Sequence, residues 1–244
     1  MQKFRIDKIK FVLKISGFIS FILFLVFSYF VEKGYLLNID LFFNHYLDNS
    51  LIEVFFIYSK VLEYLYIFLF VLAVRLFFQF YKKGEKLESL LLLISGFVSI
   101  FAQLFVKPIF NILCPGTYYN SVVSTYKLIY QFDFVQKLAM NETCYPSNHT
   151  IGYIVVCGYL ALLMKTYFEK KKATNLIVFT LLFVMATIGI TRIYLHVHWF
   201  SDVLAGYFLG ITLLTVVFWL RLHRKEFRRY LKDIYEKLEK IKKK

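Results

Sequence analysis

Proline is almost absent from this 244-residue chain, with only 3 residues, and no stretch rich in Gly, Ser and Pro interrupts it. A linker or low-complexity segment of the usual composition is therefore excluded. Acidic residues are also scarce, with 16 Asp and Glu against 30 Lys and Arg. Hydrophobic residues instead make up 59% of the chain, a share that ordinary water-soluble domains do not reach. The composition predicts one compact domain in a membrane.

Apolar runs recur along most of the chain. A hydrocarbon core about 30 Å thick requires roughly 20 apolar residues of helix. Six runs meet this criterion, at residues 11–31, 61–81, 87–106, 150–166, 176–194 and 202–220. The first is too long for a signal peptide and lacks a small-x-small cleavage pattern, so we expect a retained anchor. The predicted fold is all-α, a polytopic membrane bundle of six transmembrane helices.

The formal charge of +14 is explained by membrane topology rather than by nucleic-acid binding. Basic clusters occur at the N-terminus, after the second and fourth runs, and in the tail, and they alternate with charge-poor segments. The positive-inside rule then predicts that both termini are cytoplasmic. Residues 1–220 would form the membrane domain. The tail, 221–244, has the spacing of a basic amphipathic helix that lies on anionic lipids, with a short coiled-coil contact as the alternative.

Two segments between the runs stand out. Residues 32–60 are amphipathic and rich in aromatic side chains, which is typical of a helix at the membrane interface. Residues 107–149 form a long loop on the side opposite the basic clusters, and loops of this length are usually functional or disordered. We expect this outer loop to belong to an active site.

Two of the three cysteines, Cys114 and Cys144, lie in the outer loop. In an oxidising compartment they can form a disulfide. It would close a loop of about 30 residues and contribute about 3 to 4 kcal/mol in the chain-entropy model. Two free thiols are the alternative. Cys157 lies inside a run and is expected to be a small packing residue.

A small set of polar residues lies at the outer ends of the runs, where neither a span nor a basic cluster requires them. They are Lys107, Ser147, His149, Arg192, His198 and Asp202. Ionisable groups at membrane depth are costly and usually functional. Because these residues come from four runs to one membrane level, we expect them to form one site.

The residue types in this set suit phosphoryl transfer. His198 and Asp202 would share a helical face if the sixth span begins slightly early. Asp202 could then accept a hydrogen bond from one ring nitrogen and leave the other nucleophilic. Arg192 and Lys107 supply positive charge for phosphoryl oxygens. His149, in the first turn of the fourth span, could protonate a leaving oxygen.

The same hypothesis includes uncharged hydrogen-bond donors for the phosphate, and it does not require a metal ion. Ser147 and the first backbone amides of the fourth span, which have no partner within the helix, can bind an anion. His196 and His198 would point in different directions on a helix, and no carboxylate or third histidine is placed to complete a metal site. The set therefore predicts phosphoryl transfer by positioning and charge neutralisation, without metal.

Three segments resemble the motifs of the type 2 phosphatidic acid phosphatases, a family of integral membrane lipid phosphatases. The family motifs are Lys, six residues, Arg-Pro; then Pro-Ser-Gly-His; then Ser-Arg, five residues, His, three residues, Asp. In this chain they read Lys107 to Cys114-Pro115, Pro146-Ser147-Asn148-His149, and Thr191-Arg192 with His198 and Asp202. The third motif keeps every spacing and is the most specific.

The resemblance implies a role for each matched residue. His198 would form a phosphohistidine intermediate, Asp202 would orient it, and His149 would be the general acid. The phosphate-binding residues that it implies are Lys107, Ser147, Asn148 and Arg192. The family requires no metal, and no other cofactor is expected.

The chain departs from the family motifs at three positions. Thr191 in place of Ser keeps the hydroxyl, whereas Asn148 in place of Gly keeps the amide but crowds its approach to phosphate. Cys114 replaces an arginine, which removes a charged hydrogen bond worth about 1.5 to 3 kcal/mol. Lys127 or Lys137 in the same loop could supply the missing charge.

We therefore expect a lipid phosphatase in the inner (plasma) membrane of a bacterium, with its site on the periplasmic or extracellular side. Its substrate would be a phosphate mono- or diphosphate ester of a membrane lipid, such as undecaprenyl diphosphate, phosphatidylglycerophosphate, phosphatidic acid or lipid A. The alternative, suggested by the missing arginine, is a catalytically silenced relative that binds or moves phospholipid head groups. A retained nucleophile with its carboxylate favours the enzyme.

Overall fold

The computed structural model describes residues 2–47, 51–110, 112, 115, 144–168 and 172–223. The tail beyond residue 223 and most of the outer loop, including Cys114, Lys127 and Lys137, lie outside these ranges. All regular elements in the described ranges are helical: α1 (Gln2–Glu32), α2 (Leu37–Tyr46), α3 (Ile52–Lys82), α4 (Lys86–Phe101), α5 (Lys107–Phe110), α6 (Asn148–Phe168), α7 (Lys172–Tyr194) and α8 (Phe200–Leu222). A π-helical turn, Ala102–Val106, joins α4 to α5.

Six helical stretches are long and apolar enough to cross a membrane, which confirms the predicted all-α fold with six spans. They are Ile9–Glu32, Ile52–Lys82, Lys86–Phe110, Asn148–Phe168, Ala173–Tyr194 and Phe200–Leu222. The second begins well before the predicted residue 61, because no Gly or Pro ends the helix there. Phe55 in this added part stacks on Tyr194 of α7, with 4.0 Å between ring centroids.

The central helix of the bundle is α6. Of its span, 67% is buried, against 17–39% for the other five spans. It packs against α4, α7 and α8, whereas α1 packs against α8 and α3 packs against α4. Cys157, near its middle, is a free and fully buried cysteine, in keeping with a packing role. The outer helices expose large apolar side chains such as Phe18 and Phe68, as a lipid-facing surface would.

One end of the bundle is tied together by a buried ion pair. Glu88 of α4 is 1% exposed. Its two carboxylate oxygens accept hydrogen bonds from Nε of Arg221 in α8, at 2.8 and 3.1 Å. The hydroxyl of Tyr159 in α6 donates to the same carboxylate at 2.5 Å. Three helices therefore meet at Glu88, at the end of α8 far from its first residue.

Replacing Glu88 alone by Leu is expected to lower the free energy of unfolding by about 3 kcal/mol, because Arg221, whose side chain is only 14% exposed, loses its counter-ion. The double variant Glu88→Leu/Arg221→Met should recover most of this loss, since removing both charges of a buried pair is often neutral. Unfolding titrations in detergent measure both, with Glu53→Leu on the exposed surface of α3 as the control. Equal losses in the single and double variants would contradict the ion pair's role.

Candidate active site

A short turn between α7 and α8, residues 195–199, carries His198; we call it the His198 turn. The backbone amides of Val197 and His198 both donate to the carbonyl oxygen of Arg192, at 3.2 and 3.3 Å. His196 adopts a left-handed conformation with φ 51°. The chain therefore reverses direction tightly, and His198, only 7% exposed, lies two residues before α8.

His198 is paired with Asp202 in the first turn of α8. Its Nδ1 lies 3.3 Å from Oδ2 of Asp202, and the amide of Trp199 donates to the same oxygen at 2.9 Å. Oδ1 of Asp202 has no hydrogen-bond partner among the described residues. Because α8 begins only at Phe200, the pair does not share a helical face as the sequence suggested. Asp202 instead reaches back across the helix N-terminus, as an acidic residue of a capping box does.

His198 is electrically neutral in this setting. Burial lowers the pKa of His198 well below its ordinary value, and the positive charges of Lys107 and Arg192 lower it further. The contact with Asp202 is therefore a hydrogen bond from Nδ1–H rather than an ion pair. Nε2 keeps its lone pair, which is the state that a nucleophilic imidazole needs.

Removing a positive charge near His198 should make its ring easier to protonate. Lys107→Met is therefore expected to raise the pKa of His198, whereas Lys83→Met at the far end of α3 should leave it unchanged. Histidine ¹⁵N shifts across pH 5 to 8, with the His198 signal assigned by its loss in His198→Ala, report the titration. A His198 pKa that stays constant or falls in Lys107→Met would show that the two groups do not interact.

The second motif is bound directly to the start of α8. The amide of Ser147 donates to the carbonyl oxygen of Asp202 at 3.0 Å, and Oγ of Ser147 accepts a hydrogen bond from Thr150 at 3.1 Å. His149, exposed on the first turn of α6, has its ring centroid 6.4 Å from that of His198. Ser147 and His149 therefore reach the His198–Asp202 pair from a second helix.

A glycine in α8 permits this approach. A Cβ at Gly206 would lie 2.9 Å from the carbonyl oxygen of Ser147 and 2.9 Å from Cβ of Thr150. Both neighbours belong to or adjoin the first turn of α6, and the carbonyl is backbone that cannot rotate away. The distance between α6 and α8 at the site thus depends on the missing side chain of Gly206.

The two positively charged side chains predicted for the site, Arg192 and Lys107, lie on separate helical elements. Arg192, 2% exposed, lies in the last turn of α7, and its Nη1 lies 3.8 Å from Oε1 of Glu63 in α3. Glu63 also pairs with Lys60 at 3.0 Å. Lys107 follows the π turn, and its amide donates to the carbonyl oxygen of Ala102. Such turns are frequent at functional sites, and here the turn delivers Lys107 to the site.

Asn148 has a contact that the motif did not suggest. Its amide nitrogen donates to Oε1 of Gln103 in the π turn, at 3.2 Å. Its own side-chain oxygen has no hydrogen-bond partner among the described residues. The Asn148 side chain therefore ties the start of α6 to the π turn before Lys107. Its predicted phosphate contact remains a prediction.

Several side chains that support the site carried no motif signal. Tyr145 is fully buried, its hydroxyl is hydrogen-bonded to Ser28 at 2.7 Å, and its ring stacks on Phe24 of α1. Asp40 and Asn44 of α2 contact α8 and the His198 turn. Asp40 was detectable in principle, because it is the single acidic residue of an otherwise apolar and polar-neutral helix.

One group of side chains has the spacing of metal ligands. The sulfur of Cys144, a ring nitrogen of His198 and a carboxylate oxygen of Asp202 all lie within 4.8 Å of one another. Cys144 is disulfide-bonded, however, and only a thiolate is a good ligand. Its sulfur lies 3.3 Å from the carbonyl oxygen of Val197. Cys114 lies outside the described residues, so its pairing with Cys144 stays a prediction.

The chain is similar to known proteins in both sequence and fold. Over 126 residues, the chain is 33% identical to the bacitracin transport permease protein BcrC of Bacillus licheniformis. The matched segment covers 51% of this chain and 57% of that protein. The fold resembles the crystal structure of a transmembrane PAP2 type phosphatidylglycerolphosphate phosphatase from Bacillus subtilis. That match has a TM-score of 0.58 at 18% identity, and it covers 83% of this chain and 94% of the other.

The family match spans the site described above. The family model of the PAP2 superfamily matches residues 88–226, which is more than half of the 244-residue chain and includes all three motifs. The six apolar helices make the chain an integral membrane protein, as its relatives are. The chain is a member of the PAP2 superfamily.

Proposed function

We propose that the chain is a lipid phosphatase that hydrolyses a phosphate mono- or diphosphate ester of a membrane lipid, with His198 as the nucleophile. The observation that carries the proposal is the buried, neutral His198, held by Asp202 at one ring nitrogen. Arg192 and Lys107 lie near enough to act on its charge. A nucleophile, its orienting carboxylate and charge-neutralising cations are the parts that phosphoryl transfer through a phosphohistidine needs.

The proposed reaction has two steps. In the first, Nε2 of His198 attacks phosphorus while the P–O bond to the lipid breaks, and His149 donates a proton to the leaving oxygen. The phosphorylated ring is cationic, and the hydrogen bond from Nδ1–H to Asp202 stabilises it. In the second, His149 takes a proton from a water molecule that attacks phosphorus, the P–N bond breaks, and inorganic phosphate leaves. Arg192 and Lys107 neutralise the phosphoryl oxygens in both steps.

We infer that the site faces the outer side of the membrane. Four described basic residues near helix ends lie at the other end of the bundle, as the positive-inside rule expects of a cytoplasmic face. They are Lys82, Lys83, Lys86 and Lys165. A membrane-impermeant maleimide should label intact cells carrying Tyr35→Cys, beside α2, and not those carrying Lys83→Cys. Labelling of Lys83→Cys alone would reverse the orientation.

A lipid panel tests the activity and identifies the substrate class. Purified protein is assayed for release of inorganic phosphate from undecaprenyl diphosphate, phosphatidylglycerophosphate, phosphatidic acid and lipid A. We expect wild type and His223→Ala, a matched histidine at the far end of α8, to release phosphate from at least one lipid, and His198→Ala to release none. Equal background release from all three proteins would instead favour a silenced relative that binds or moves lipid head groups, which the cysteine at position 114 suggests.

Gly206→Ala is expected to lower kcat/KM for phosphate release roughly 10- to 100-fold, because a displacement of about 1 Å in a catalytic group can have an effect of this size. The added methyl group would press on the carbonyl oxygen of Ser147 and move the start of α6 away from Asp202. Gly96→Ala is the control, because its Cβ would meet only Phe70, at 3.6 Å. Unchanged kinetics in Gly206→Ala would show that this helix spacing does not matter.

A further inference from the structure

The short helix α2 touches the catalytic elements with one polar face. Asp40 is 6% exposed, and its carboxylate accepts hydrogen bonds from the backbone amide of Ser201 at 2.8 Å and from its hydroxyl at 2.7 Å. Asn44, one helical turn later, is hydrogen-bonded through its side-chain oxygen to Nδ1 of His196. Residues four apart lie on the same helical face. One face of α2 therefore holds both the His198 turn and the start of α8.

We propose that Asp40 and Asn44 are positioning residues for His198, a role that rests on the proposed function. His198 lies between the two points that they fix, His196 and Ser201. A side chain so placed acts on the reaction through the geometry of the nucleophile rather than by touching substrate. Neither residue belongs to the three motifs.

The His198 turn needs support of this kind. His196 occupies the left-handed region at φ 51°, which is unfavourable for a residue with a Cβ and persists only when neighbouring contacts enforce it. Its ring is held by Asn44, outside the turn. Without that contact, His196 is free to relax to an ordinary conformation, and His198, two residues later, would move with it.

Asp40 fixes the other side of the nucleophile. The first amides of a helix have no partner within the helix and favour a negative charge. In α8, Asp202 accepts from the amide of Trp199 and Asp40 accepts from that of Ser201. Burial raises the pKa of Asp40 to about 6 despite these hydrogen bonds, so at neutral pH the carboxylate is ionised and accepts both. The register of Asp202 against His198 is thereby tied to α2.

An aromatic contact completes the attachment of α2. Phe43 stacks on Phe200, the first residue of α8, with ring centroids 4.3 Å apart and planes inclined by 13°. The other side of α2 exposes Ile39 and Phe42. The helix is thus amphipathic in an unusual sense, since its charged side is buried against the site and its apolar side is exposed.

Kinetics of α2 variants test the proposal in the full-length protein. Asp40→Ala and Asn44→Ala are each expected to lower kcat for phosphate release roughly 10- to 100-fold while KM stays within about 2-fold. Asp40→Asn should recover most of the activity, because its amide can accept from the Ser201 amide and donate to the Ser201 hydroxyl. Asn38→Ala, on the exposed side of α2, is the matched control and should behave as wild type.

Fluorescence of Trp199 reports the geometry of the turn without any reaction. In a Trp219→Phe background, Trp199 is the only tryptophan, and it is 6% exposed. We expect its quenching by acrylamide to rise at least about 2-fold in Asp40→Ala and in Asn44→Ala, and to remain low in Asp40→Asn and in Asn38→Ala. This measurement is independent of whether the chain hydrolyses lipids.

The two readouts separate the possible failures. Wild type without phosphate release overturns the proposed function, while Trp199 quenching still shows whether α2 holds the turn. Phosphate release by Asp40→Ala and Asn44→Ala at the wild-type rate, or unchanged quenching in both, overturns the positioning role. A loss in Asp40→Ala that Asp40→Asn does not recover, with Trp199 still protected, would also overturn it, since the carboxylate would then act on the reaction by its charge.

Discussion

Replacing His198 by alanine is expected to lower kcat for lipid dephosphorylation by about 10,000-fold or more, because it removes the group that we propose forms the covalent intermediate. Loss of an enzyme's nucleophile removes the whole two-step route and leaves only binding and charge neutralisation to assist direct attack by water. Phosphate release from the preferred lipid, measured under saturating substrate, gives the ratio. The bundle should stay folded, since His198 makes no ion pair and lies in a turn.

The control for His198→Ala is His223→Ala, which removes a histidine from the end of α8 far from the site. It should retain wild-type kcat, and the two variants should unfold at similar denaturant concentrations. A His198→Ala protein that keeps more than about a tenth of wild-type kcat would exclude His198 as the nucleophile.

Asp202→Asn is expected to lower kcat roughly 100- to 1,000-fold with little change in KM, the usual effect of removing one group that stabilises charge developing in the transition state. An asparagine oxygen at the position of Oδ2 can still accept from His198 and Trp199. What is lost is the negative charge that stabilises the cationic phosphorylated ring, which develops only as the reaction proceeds. The effect should therefore appear in kcat.

Rapid-quench measurements distinguish this effect from a loss of binding. The formation of phosphoenzyme should slow in Asp202→Asn, whereas the concentration of lipid needed for half-saturation should stay close to that of wild type. Glu53→Gln, an exposed carboxylate lost from α3, is the control for a change of one charge. An increase in KM with kcat unchanged would mean that Asp202 binds substrate rather than supporting the nucleophile.

The six spans could be predicted because bilayer thickness imposes a length and a composition that few other segments satisfy. The start of α3 could not, because nothing in 52–60 opposes helix formation and the stacking of Phe55 on Tyr194 joins residues far apart in sequence. Which side of the membrane each terminus occupies stays a prediction. The tail from 224 onward lies outside the described residues.

The pairing of His198 with Asp202 could be predicted from their spacing in the sequence, but the geometry of their contact could not. A separation of four between His198 and Asp202 suggested one helical face, whereas α8 begins between them and the contact crosses the helix N-terminus. Helix boundaries are the least certain part of any reading of a sequence. The predicted contact between His198 and Asp202 is nevertheless present, because hydrogen bonds from the turn to the carbonyl oxygen of Arg192 hold His198 beside Asp202.

The contacts of the supporting residues could not be predicted from local patterns. Asp40 and Ser201 are separated by 161 positions, and Glu63 reaches Arg192 from another helix. No periodicity connects such residues, since their contact depends on how α2 and α3 pack. The π turn before Lys107 is likewise set by tertiary structure, because its sequence reads as an ordinary apolar helix.

The phosphohistidine itself is the most direct test of the account. Wild-type protein is mixed with a lipid substrate labelled with ³²P in its terminal phosphate, quenched with base within milliseconds, and digested for mass spectrometry. We predict an alkali-stable, acid-labile phosphate on Nε2 of His198 that is absent in His198→Ala. Phosphate release without any such intermediate, or with label on a residue other than His198, would contradict it.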